Sequence, residues 1–153
     1  MEEIEFMNIT LIGMPGAGKT TLGKKIARKL GFKFIDLDKK IEKKFKLRLS
    51  KIVDKLGEKK FLKEEEKAVL KLKRINNCVL APGGSIVYSV KAMNLLKRIS
   101  LVIFLRSSFA KIRRRVGDPV KRGVIGIKSK SLKKIYEERL PLYKKYADYI
   151  LEI

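Results

Sequence analysis

The strongest constraint on the fold is a glycine-rich stretch that follows an apolar run near the start of the chain. The apolar segment from Phe6 to Ile12 is typical of a buried strand, and the segment from Lys19 to Leu30 is typical of a helix. Between them lies GMPGAGKT, residues 13–20, which fits the pattern G-x-x-x-x-G-K-[ST]. A strand before and a helix after are the context in which this pattern forms a phosphate-binding loop. The sequence therefore predicts a nucleoside-triphosphate site, with an ordinary glycine-rich turn as the alternative.

The residue types of this loop predict its chemistry. Glycines allow successive backbone N–H groups to turn toward an anion, and the positive end of the following helix points at the same place. We expect Lys19 to reach the terminal phosphates and the Thr20 hydroxyl to bind Mg²⁺. ATP and Mg²⁺ are therefore the expected cofactors. The expected nucleotide contacts in the loop are Gly13, Pro15, Gly16, Ala17, Gly18, Lys19, Thr20 and Thr21.

Composition excludes several other kinds of chemistry. The chain has 153 residues, enough for one domain, expected over residues 1–153, with a conventional core. It has one cysteine, Cys78, and no histidine, which excludes intrachain disulfides, Cys/His zinc sites and catalytic triads that use histidine. The first residues are acidic and contain no long apolar stretch. We therefore expect a cytoplasmic, monomeric enzyme that acts on a small molecule and has no membrane partner.

The charge balance raises the question of a polyanionic partner. There are 38 Lys and Arg residues against 16 Asp and Glu, a formal net charge of +22. The basic residues are spread over every predicted helix rather than collected in one stripe, which favours a solvated surface. We do not expect nucleic acid as the physiological ligand. A nucleotide-dependent RNA-binding or polyanion-binding protein stays the alternative from another functional class, and it predicts salt-dependent association with little sequence preference.

Two carboxylates stand at the end of the second predicted strand, Phe32–Leu37. Period-2 alternation puts Asp36 and Asp38 on the same side, at the carboxyl end of a strand, where α/β sheets bind ligands. One of them could instead cap the helix that is predicted to begin at Lys39. The occurrence of both in a chain with a phosphate-binding loop favours a functional role.

The remaining segments continue an α/β pattern. Residues 39–74 are helical and highly charged, with breaks near Leu49-Ser50 and near Gly57. This insertion is longer than a crossover between strands requires, so we expect a lobe for the second substrate there. Further strands are expected at residues 78–81, 101–105 and 148–153, and further helices at residues 89–98, up to residue 116 from Ser107 or Ser108, and up to residue 146 from Ser129 or Ser131.

Two loops are candidates for ligand contact. Pro82-Gly83-Gly84-Ser85 follows the third strand, and its glycines allow the backbone to approach a ligand closely, although an ordinary turn is an equal alternative. Residues 116–128 are rich in glycine and basic residues and have no periodicity. Such a segment is typical of a mobile cover that excludes water and brings an arginine over the phosphates.

These segments together resemble the shikimate kinase family over essentially the whole chain. The resemblance is carried by FIDLDKKIE at residues 34–42, GEKKFLKEEEKAVL at 57–70, PGGS at 82–85 and ERLPLYKKYAD at 138–148. It implies a three-layer α/β P-loop kinase fold with a five-stranded parallel sheet, a helical acceptor lobe and a lid loop. It also implies ATP- and Mg²⁺-dependent phosphoryl transfer to a hydroxyl of a small metabolite, with shikimate to shikimate 3-phosphate as the leading candidate.

On the nucleotide side, the resemblance implies that Thr20 serves Mg²⁺ directly and that Asp36 serves it through water. Arg122 would be the lid arginine on the phosphates, and Arg115 would lie against the adenine. Phosphoryl transfer needs positioning and charge neutralisation, and Lys19, Mg²⁺ and Arg122 would supply the neutralisation.

On the acceptor side, the resemblance places Asp38 on the acceptor hydroxyls, where it would orient or deprotonate the attacking oxygen. Arg139 and the backbone of Gly84 would bind the acceptor carboxylate, with Gly83 beside them. The family pattern has an arginine at position 62, and Leu62 removes that second contact to the carboxylate, worth about ten- to a hundred-fold in affinity. Leu62 would then make one wall of the pocket apolar.

Two further positions depart from the family pattern. Ser85 replaces the third glycine of Gly-Gly-Gly, and Arg122-Gly123 replaces Arg-Pro. Lys59 or Lys63 could substitute for the missing arginine, although a neighbouring helical position points about 100° away. The runner-up function is therefore a related kinase that acts on a different hydroxylated metabolite. A nucleoside monophosphate kinase is also conceivable, but the Gly-Glu…Phe pattern of the lobe is of the shikimate type.

Overall fold

A five-stranded parallel sheet with the order β2-β3-β1-β4-β5 forms the centre of the structure, a computed structural model that describes residues 7–72 and 74–153. The strands are β1 (Asn8–Ile12), β2 (Lys33–Asp36), β3 (Cys78–Ala81), β4 (Leu101–Arg106) and β5 (Tyr149–Glu152). The helices are α1 (Lys19–Leu30), α2 (Leu37–Phe45), α3 (Leu49–Leu56), α4 (Glu58–Leu70), α5 (Val90–Ile99), α6 (Phe109–Val116) and α7 (Leu132–Tyr146), and a 3₁₀ helix spans Gly84–Tyr88. The expected three-layer α/β fold is confirmed.

The central strand β1 decides where ligands can bind. All five of its residues are buried, as expected for a parallel sheet covered by helices on both faces. It pairs with β3 on one side, through Ile9 and Val79, and with β4 on the other, through Ile9 and Leu101. The chain therefore crosses from one half of the sheet to the other at β1. Ligands of open α/β sheets bind at such a switch point, outside the carboxyl ends of the strands.

The second strand is shorter than the sequence predicts. The prediction was a strand from Phe32 to Leu37, but β2 covers Lys33–Asp36 and α2 already begins at Leu37. A side-chain oxygen of Asp36 accepts a hydrogen bond from the Lys39 backbone N–H at 3.1 Å, so Asp36 caps α2. Asp38 lies in the first helical turn, and the strand-alternation argument for it was wrong. The predicted start of the first strand, Phe6, lies outside the described residues.

Helices α2, α3 and α4 form the helical lobe that was predicted to bind the acceptor, and this lobe has a small core of its own. The predicted break at Gly57 is observed, and the other break lies at residues 46–48, just before the predicted Leu49-Ser50, because α3 already begins at Leu49. The core consists of Ile41, Ile52, Val53 and Phe61, together with Ile125 from the segment between α6 and α7. That segment, whose part at residues 116–128 we call the lid, therefore lies closed on the lobe.

Serine caps fix where three helices begin. The Oγ atoms of Ser89, Ser108 and Ser131 accept hydrogen bonds from the backbone N–H groups three residues later, at 3.1, 3.3 and 3.1 Å. Such caps satisfy amide groups that a helix start leaves unpaired. They decide between the predicted alternatives, since Ser108 rather than Ser107 precedes α6 and Ser131 rather than Ser129 precedes α7. Across residues 7–72 and 74–153, no helix is long and apolar enough to cross a membrane.

Candidate active site

A cavity of about 750 Å³ lies at the carboxyl end of the sheet and extends from the glycine-rich loop to the acceptor lobe. Most of the residues predicted from the sequence line it, although they come from six different segments of the chain. They are Pro15, Gly16, Ala17, Gly18, Lys19, Thr20, Thr21, Asp36, Asp38, Gly83, Gly84, Arg115, Arg122 and Arg139. Gly13 and Leu62 were also predicted, and the structure places neither of them in the cavity wall.

The loop at residues 13–20 adopts the backbone that its glycines permit. Gly16 and Gly18 have φ values of +82° and +96°, in the region that favours glycine. The Lys19 ammonium donates hydrogen bonds to the carbonyl oxygens of Gly13 at 2.6 Å and Met14 at 3.0 Å, and so closes the loop around itself. Gly13 has a packing role instead of lining the cavity, because a Cβ there would lie 2.9 Å from the Leu105 carbonyl oxygen.

The electrostatics of the loop favour an anionic ligand. Burial lowers the pKa of Lys19 to about 8, and Arg139 and Arg122 act in the same direction, while Asp38 opposes them. The negative charge of Asp38 only partly offsets the burial of this ammonium and the repulsion from the two guanidinium groups. Phosphate groups would supply further negative charge and would restore the charged state of Lys19.

The two predicted nucleotide arginines lie together beside the loop. Arg115, near the end of α6, donates from Nη1 to the Gly16 carbonyl at 3.3 Å, and Arg122 of the lid donates from Nη1 to the Arg115 carbonyl at 3.2 Å. Gly123 has a φ of +74°, and a Cβ there would lie 2.9 Å from the Ser50 backbone nitrogen. A proline cannot adopt this φ, so the lid of this chain needs glycine at position 123.

The opposite end of the cavity holds two carboxyl groups on either side of Gly83. A Cβ on Gly83 would lie 2.5 Å from Oε2 of Glu65 and 2.7 Å from Oδ1 of Asp38. Burial raises the pKa of Asp38 to about 6, against the effect of Lys19. Burial and the Asp38 charge raise the pKa of Glu65 to about 8. Of the two carboxyl groups, Glu65 keeps its proton to the higher pH and is the better hydrogen-bond donor, while Asp38 ionises more readily and is the better acceptor.

Arg139 is the basic group beside these carboxyl groups, and it is almost completely buried. Its Nη2 donates to the Ile125 carbonyl of the lid at 2.9 Å, and its Nε donates to the Tyr88 hydroxyl at 3.3 Å. A Cβ on Gly84 would lie 3.0 Å from Nη1, so the third guanidinium nitrogen faces the Gly84 backbone. The Tyr143 hydroxyl donates to the Gly84 carbonyl at 2.7 Å and fixes that backbone in place. Arg139 and Gly84 can together bind a carboxylate.

The family model described as shikimate kinase matches residues 15–153 of the chain. The chain belongs to the shikimate kinase family. The shikimate kinase of Caldanaerobacter subterraneus subsp. tengcongensis is 36% identical over 148 residues, which cover 95% of this chain and 86% of the relative. That of Wigglesworthia glossinidia brevipalpis is 38% identical over 153 residues, which cover 97% of this chain and 88% of the relative.

Solved structures agree with this family membership. The structure of shikimate kinase from Acinetobacter baumannii in complex with shikimate has a TM-score of 0.89 at 30% identity, covering 97% of this chain and 84% of that one. The shikimate kinase from Aquifex aeolicus vf5 has a TM-score of 0.79 at 29% identity, covering 95% of this chain and 85% of that one. The chain is thus an ATP-dependent small-molecule kinase with the P-loop kinase fold, as the sequence predicts.

The residues present fit the magnesium ion that this kinase family implies. Thr20 and Asp36 both line the cavity near the loop. The described part of the chain has no cluster of three or more acidic, cysteine or histidine side chains that would hold a metal ion by itself. Mg²⁺ does not need one, because it keeps several waters and takes one or two protein ligands together with substrate phosphates.

Glu65 is a site residue of this kinase that the sequence reasoning missed. It follows the buried Phe61 by four residues and precedes the buried Val69 by four, so it lies on the buried stripe of α4. A glutamate on a buried stripe is rare unless it has a partner or a function. That position was the signal available in the sequence. The missed partner is Ser85, whose Oγ donates a short hydrogen bond to Oε1 of Glu65.

Leu62 does not form the predicted wall of the acceptor pocket. It is half-buried against the lobe core and lines a separate, shallow cleft of about 190 Å³, together with Lys59 and Lys63. The reason is helical geometry, because position 62 points about 100° away from the buried Phe61. Ser85 borders both the main cavity and this cleft, so it stands between Leu62 and the acceptor end.

Proposed function

We propose that this kinase transfers the γ-phosphoryl group of ATP to the 3-hydroxyl of shikimate, giving ADP and shikimate 3-phosphate. The observation that carries the proposal is the arrangement at the acceptor end, where a buried arginine beside a glycine backbone lies next to two carboxyl groups. Shikimate presents the complementary groups, since it carries a carboxylate on one side of its ring and neighbouring hydroxyls on the other. The solved relative from Acinetobacter baumannii, described as a complex with shikimate, supports this choice of acceptor.

The acceptor would be oriented by two kinds of protein group, a guanidinium at one end and carboxyl groups at the other. Arg139 and the Gly84 backbone would hold its carboxylate, because a guanidinium and a carboxylate form strong charge-assisted hydrogen bonds. Asp38, the more readily ionised of the two carboxyl groups, would accept a hydrogen bond from the attacking hydroxyl and receive its proton as the new P–O bond forms. The carboxyl of Glu65 would contact a neighbouring hydroxyl. This orientation points the attacking oxygen toward the loop at residues 13–20.

The nucleotide would be held by the loop amides and by basic side chains. Lys19 would neutralise charge on the transferred phosphoryl group, Arg122 would contact the same phosphates from the lid, and Arg115 would lie against the adenine. Thr20 would ligate Mg²⁺, with Asp36 acting through water, and the ion would supply charge neutralisation between the β- and γ-phosphates. The transition state of phosphoryl transfer needs mainly this neutralisation and alignment.

The closed lid supplies the dry environment that the transfer needs. Ile125 packs into the lobe core, the Gly126 N–H donates to the Glu58 carboxylate, and Lys128 pairs with Asp54 at 3.0 Å. Arg139 bonds the lid backbone at Ile125, so the group proposed to hold the acceptor also contacts the cover. Exclusion of water strengthens the electrostatic interactions and prevents hydrolysis of ATP.

The test is a coupled ADP-release assay with ATP and Mg²⁺, in which shikimate is compared with a panel of hydroxylated carboxylic acids and sugars. The Lys19→Ala variant serves as the blank for every acceptor. Saturable, Lys19-dependent turnover of shikimate is the expected result. Turnover of another acceptor without shikimate would overturn the substrate assignment but keep the kinase. No turnover of any acceptor, together with nucleotide-dependent retention on a polyanion, would favour a binding protein instead.

A further inference from the structure

The hydrogen bond between Ser85 and Glu65 links two buried groups that come from different parts of the chain. Ser85 is 6% exposed and Glu65 is 3% exposed. Ser85 lies in the 3₁₀ helix after β3, and Glu65 lies in the middle of α4. The hydroxyl donates to Oε1, while Oε2 is the oxygen that faces Gly83. One carboxyl oxygen of Glu65 is therefore held by Ser85, and the other faces the cavity beside Gly83.

Both ends of this hydrogen bond are held rigidly. On one side, the Ile86 N–H donates to the Gly83 carbonyl at 3.1 Å, and the Tyr143 hydroxyl donates to the Gly84 carbonyl at 2.7 Å, so the turn that carries Ser85 is anchored before and after. On the other side, Phe61 and Val69 are buried one turn before and after Glu65. A bond between two fixed groups holds a side chain in one rotamer at little entropic cost.

No basic side chain among the described residues forms an ion pair with Glu65. The charged groups that influence it are Asp38 on α2, Arg139 on α7 and Lys19 on α1. A neutral hydroxyl can hold a carboxyl in place without forcing it to ionise, whereas a bound cation would favour the charged form. Ser85 therefore fixes the position of Glu65 and leaves it able to keep its proton next to Asp38.

We propose that Ser85 is a positioning residue that holds Glu65 beside Asp38, so that the two carboxyl groups form one receptor for a pair of neighbouring hydroxyls on the acceptor. Asp38 accepts from the attacking hydroxyl, and Glu65 fixes the hydroxyl next to it. This inference rests on the proposed function for the identity of the acceptor, but not for the existence of the receptor.

The chain offers a matched control for the test. Ser89 donates from Oγ to Oε2 of Glu66 at 2.6 Å, which is the same kind of hydrogen bond between the same two parts of the chain. Ser89 and Glu66 line the shallow cleft and not the main cavity. Removal of the Ser89 hydroxyl also removes the cap of α5, so it costs stability without touching the acceptor receptor.

The experiment compares Ser85→Ala with Ser89→Ala, each in the wild-type and Glu65→Ala backgrounds, by steady-state kinetics with shikimate and ATP. Ser85→Ala is expected to raise the KM for shikimate about ten-fold while leaving the KM for ATP within two-fold. In the Glu65→Ala background the same substitution should have no further effect, because Ser85 acts through Glu65. Ser89→Ala should leave both KM values unchanged. Thermal unfolding of each variant confirms that the protein assayed is folded.

Two results would overturn the inference: an unchanged KM for shikimate in folded Ser85→Ala, or an equal loss in the Glu65→Ala background. A failure of the proposed function can be told apart from a failure of this inference, because the wild type would then not phosphorylate shikimate. If the wild type uses another acceptor, the same series is run with that acceptor. If it uses none, the Glu65 carboxyl is titrated by ¹³C NMR. Ser85→Ala is expected to shift that titration to higher pH, since the hydroxyl lowers the pKa of Glu65, and an unchanged titration would refute the contact.

Discussion

The two ends of the cavity are built in different ways. The nucleotide end is formed mainly by the backbone of one continuous segment, residues 13–20, with Lys19 inside it. The acceptor end is formed by ionisable side chains from three helices, namely the half-buried Asp38 on α2 and the buried Glu65 on α4 and Arg139 on α7. The first is a local structure, and the second exists only when the whole chain is folded.

This difference explains two of the three positions at which the chain departs from the family pattern, while the third, Gly123, lies in the lid. Every position of the loop motif matches, because backbone amides around a phosphate depend on glycine conformations that other residues cannot adopt. Leu62 and Ser85 both depart, and both lie at or near the acceptor end. Side chains that meet from separate helices can exchange roles, since one group can replace another at the same point in space. In this chain, the acceptor end therefore departs further from the family pattern than the phosphate-binding loop does.

The largest expected effect tests the nucleotide end. Lys19→Ala should lower kcat by roughly 10²- to 10³-fold, because it removes a fixed positive charge from the site of charge development. The KM for the acceptor should change less than three-fold, since Lys19 is not proposed to hold it. The measurement is the steady-state rate of ADP release, with Lys24→Ala as the control, an exposed lysine on the same helix. A large rise in acceptor KM would show that the two ends do not act separately.

A smaller effect tests the acceptor end. Arg139→Lys keeps the positive charge but removes the planar, multiple hydrogen bonding of the guanidinium, including the 2.9 Å bond to the lid carbonyl at Ile125. We expect the KM for shikimate to rise about ten- to a hundred-fold. The KM for ATP should stay within about three-fold. Substrate-dependence assays of both ligands give the answer, with exposed Arg98→Lys as the control. Equal losses for both ligands would contradict the division of the cavity.

The buried carboxyl of Glu65 should make stability depend on pH. Its pKa is raised from 4.5 to about 8 on folding, so its contribution to stability is complete below pH 4.5 and is lost as the pH rises through about 8. The Glu65→Gln variant has no carboxyl at this position, so it does not lose this stability as the pH rises. The variant should therefore gain stability relative to wild type between pH 5 and pH 9, by a few kcal/mol at the upper limit.

Denaturant unfolding at a series of pH values measures this gain. The difference from the wild type at each pH reports the contribution of Glu65 together with its coupling to Asp38 and Lys19, whose pKa values are also shifted. Glu137 is exposed, so Glu137→Gln is the control, and its free energy of unfolding should have the same pH dependence as that of the wild type. A constant difference between Glu65→Gln and wild type across the pH range would mean that Glu65 is ionised in the folded protein.

The sequence predicts the locally determined features of this structure, and it does not predict those that depend on tertiary packing. The five strands, the helix breaks and the phosphate-binding loop were all predictable, because apolar periodicity and glycine positions are local signals. The β2–α2 boundary was not, since an Asp36 cap and a strand end make similar patterns over a few residues. The contact between Ser85 and Glu65 was also out of reach. It joins residues 20 positions apart whose meeting depends on the packing of α4.

Leu62 shows why a family motif alone can mislead about a side chain. The motif implied a pocket wall, but the orientation of α4 turns position 62 toward the shallow cleft. A sequence motif gives the order of the residues, but it does not give the direction or the reach of a side chain. The position of Leu62 could be found only from the structure of the lobe.

The smallest expected effect concerns this position. Leu62→Arg should lower the KM for shikimate by no more than about ten-fold, because the added guanidinium starts from the shallow cleft and must extend past Ser85 to reach the acceptor carboxylate. Leu62→Gln is the matched control, since it adds polar length without charge and should leave the KM unchanged. Both variants are measured with shikimate and with an uncharged polyol.

The comparison of acceptors decides what a gain means. If the arginine contacts the carboxylate, the gain appears with shikimate and not with the polyol, and the carboxylate must lie between Arg139 and position 62. If neither acceptor responds, the carboxylate is held by Arg139 and the Gly84 backbone alone, out of reach of position 62. That result would mean that the acceptor sits deeper in this cavity than the family motif implies, closer to Asp38 and Glu65.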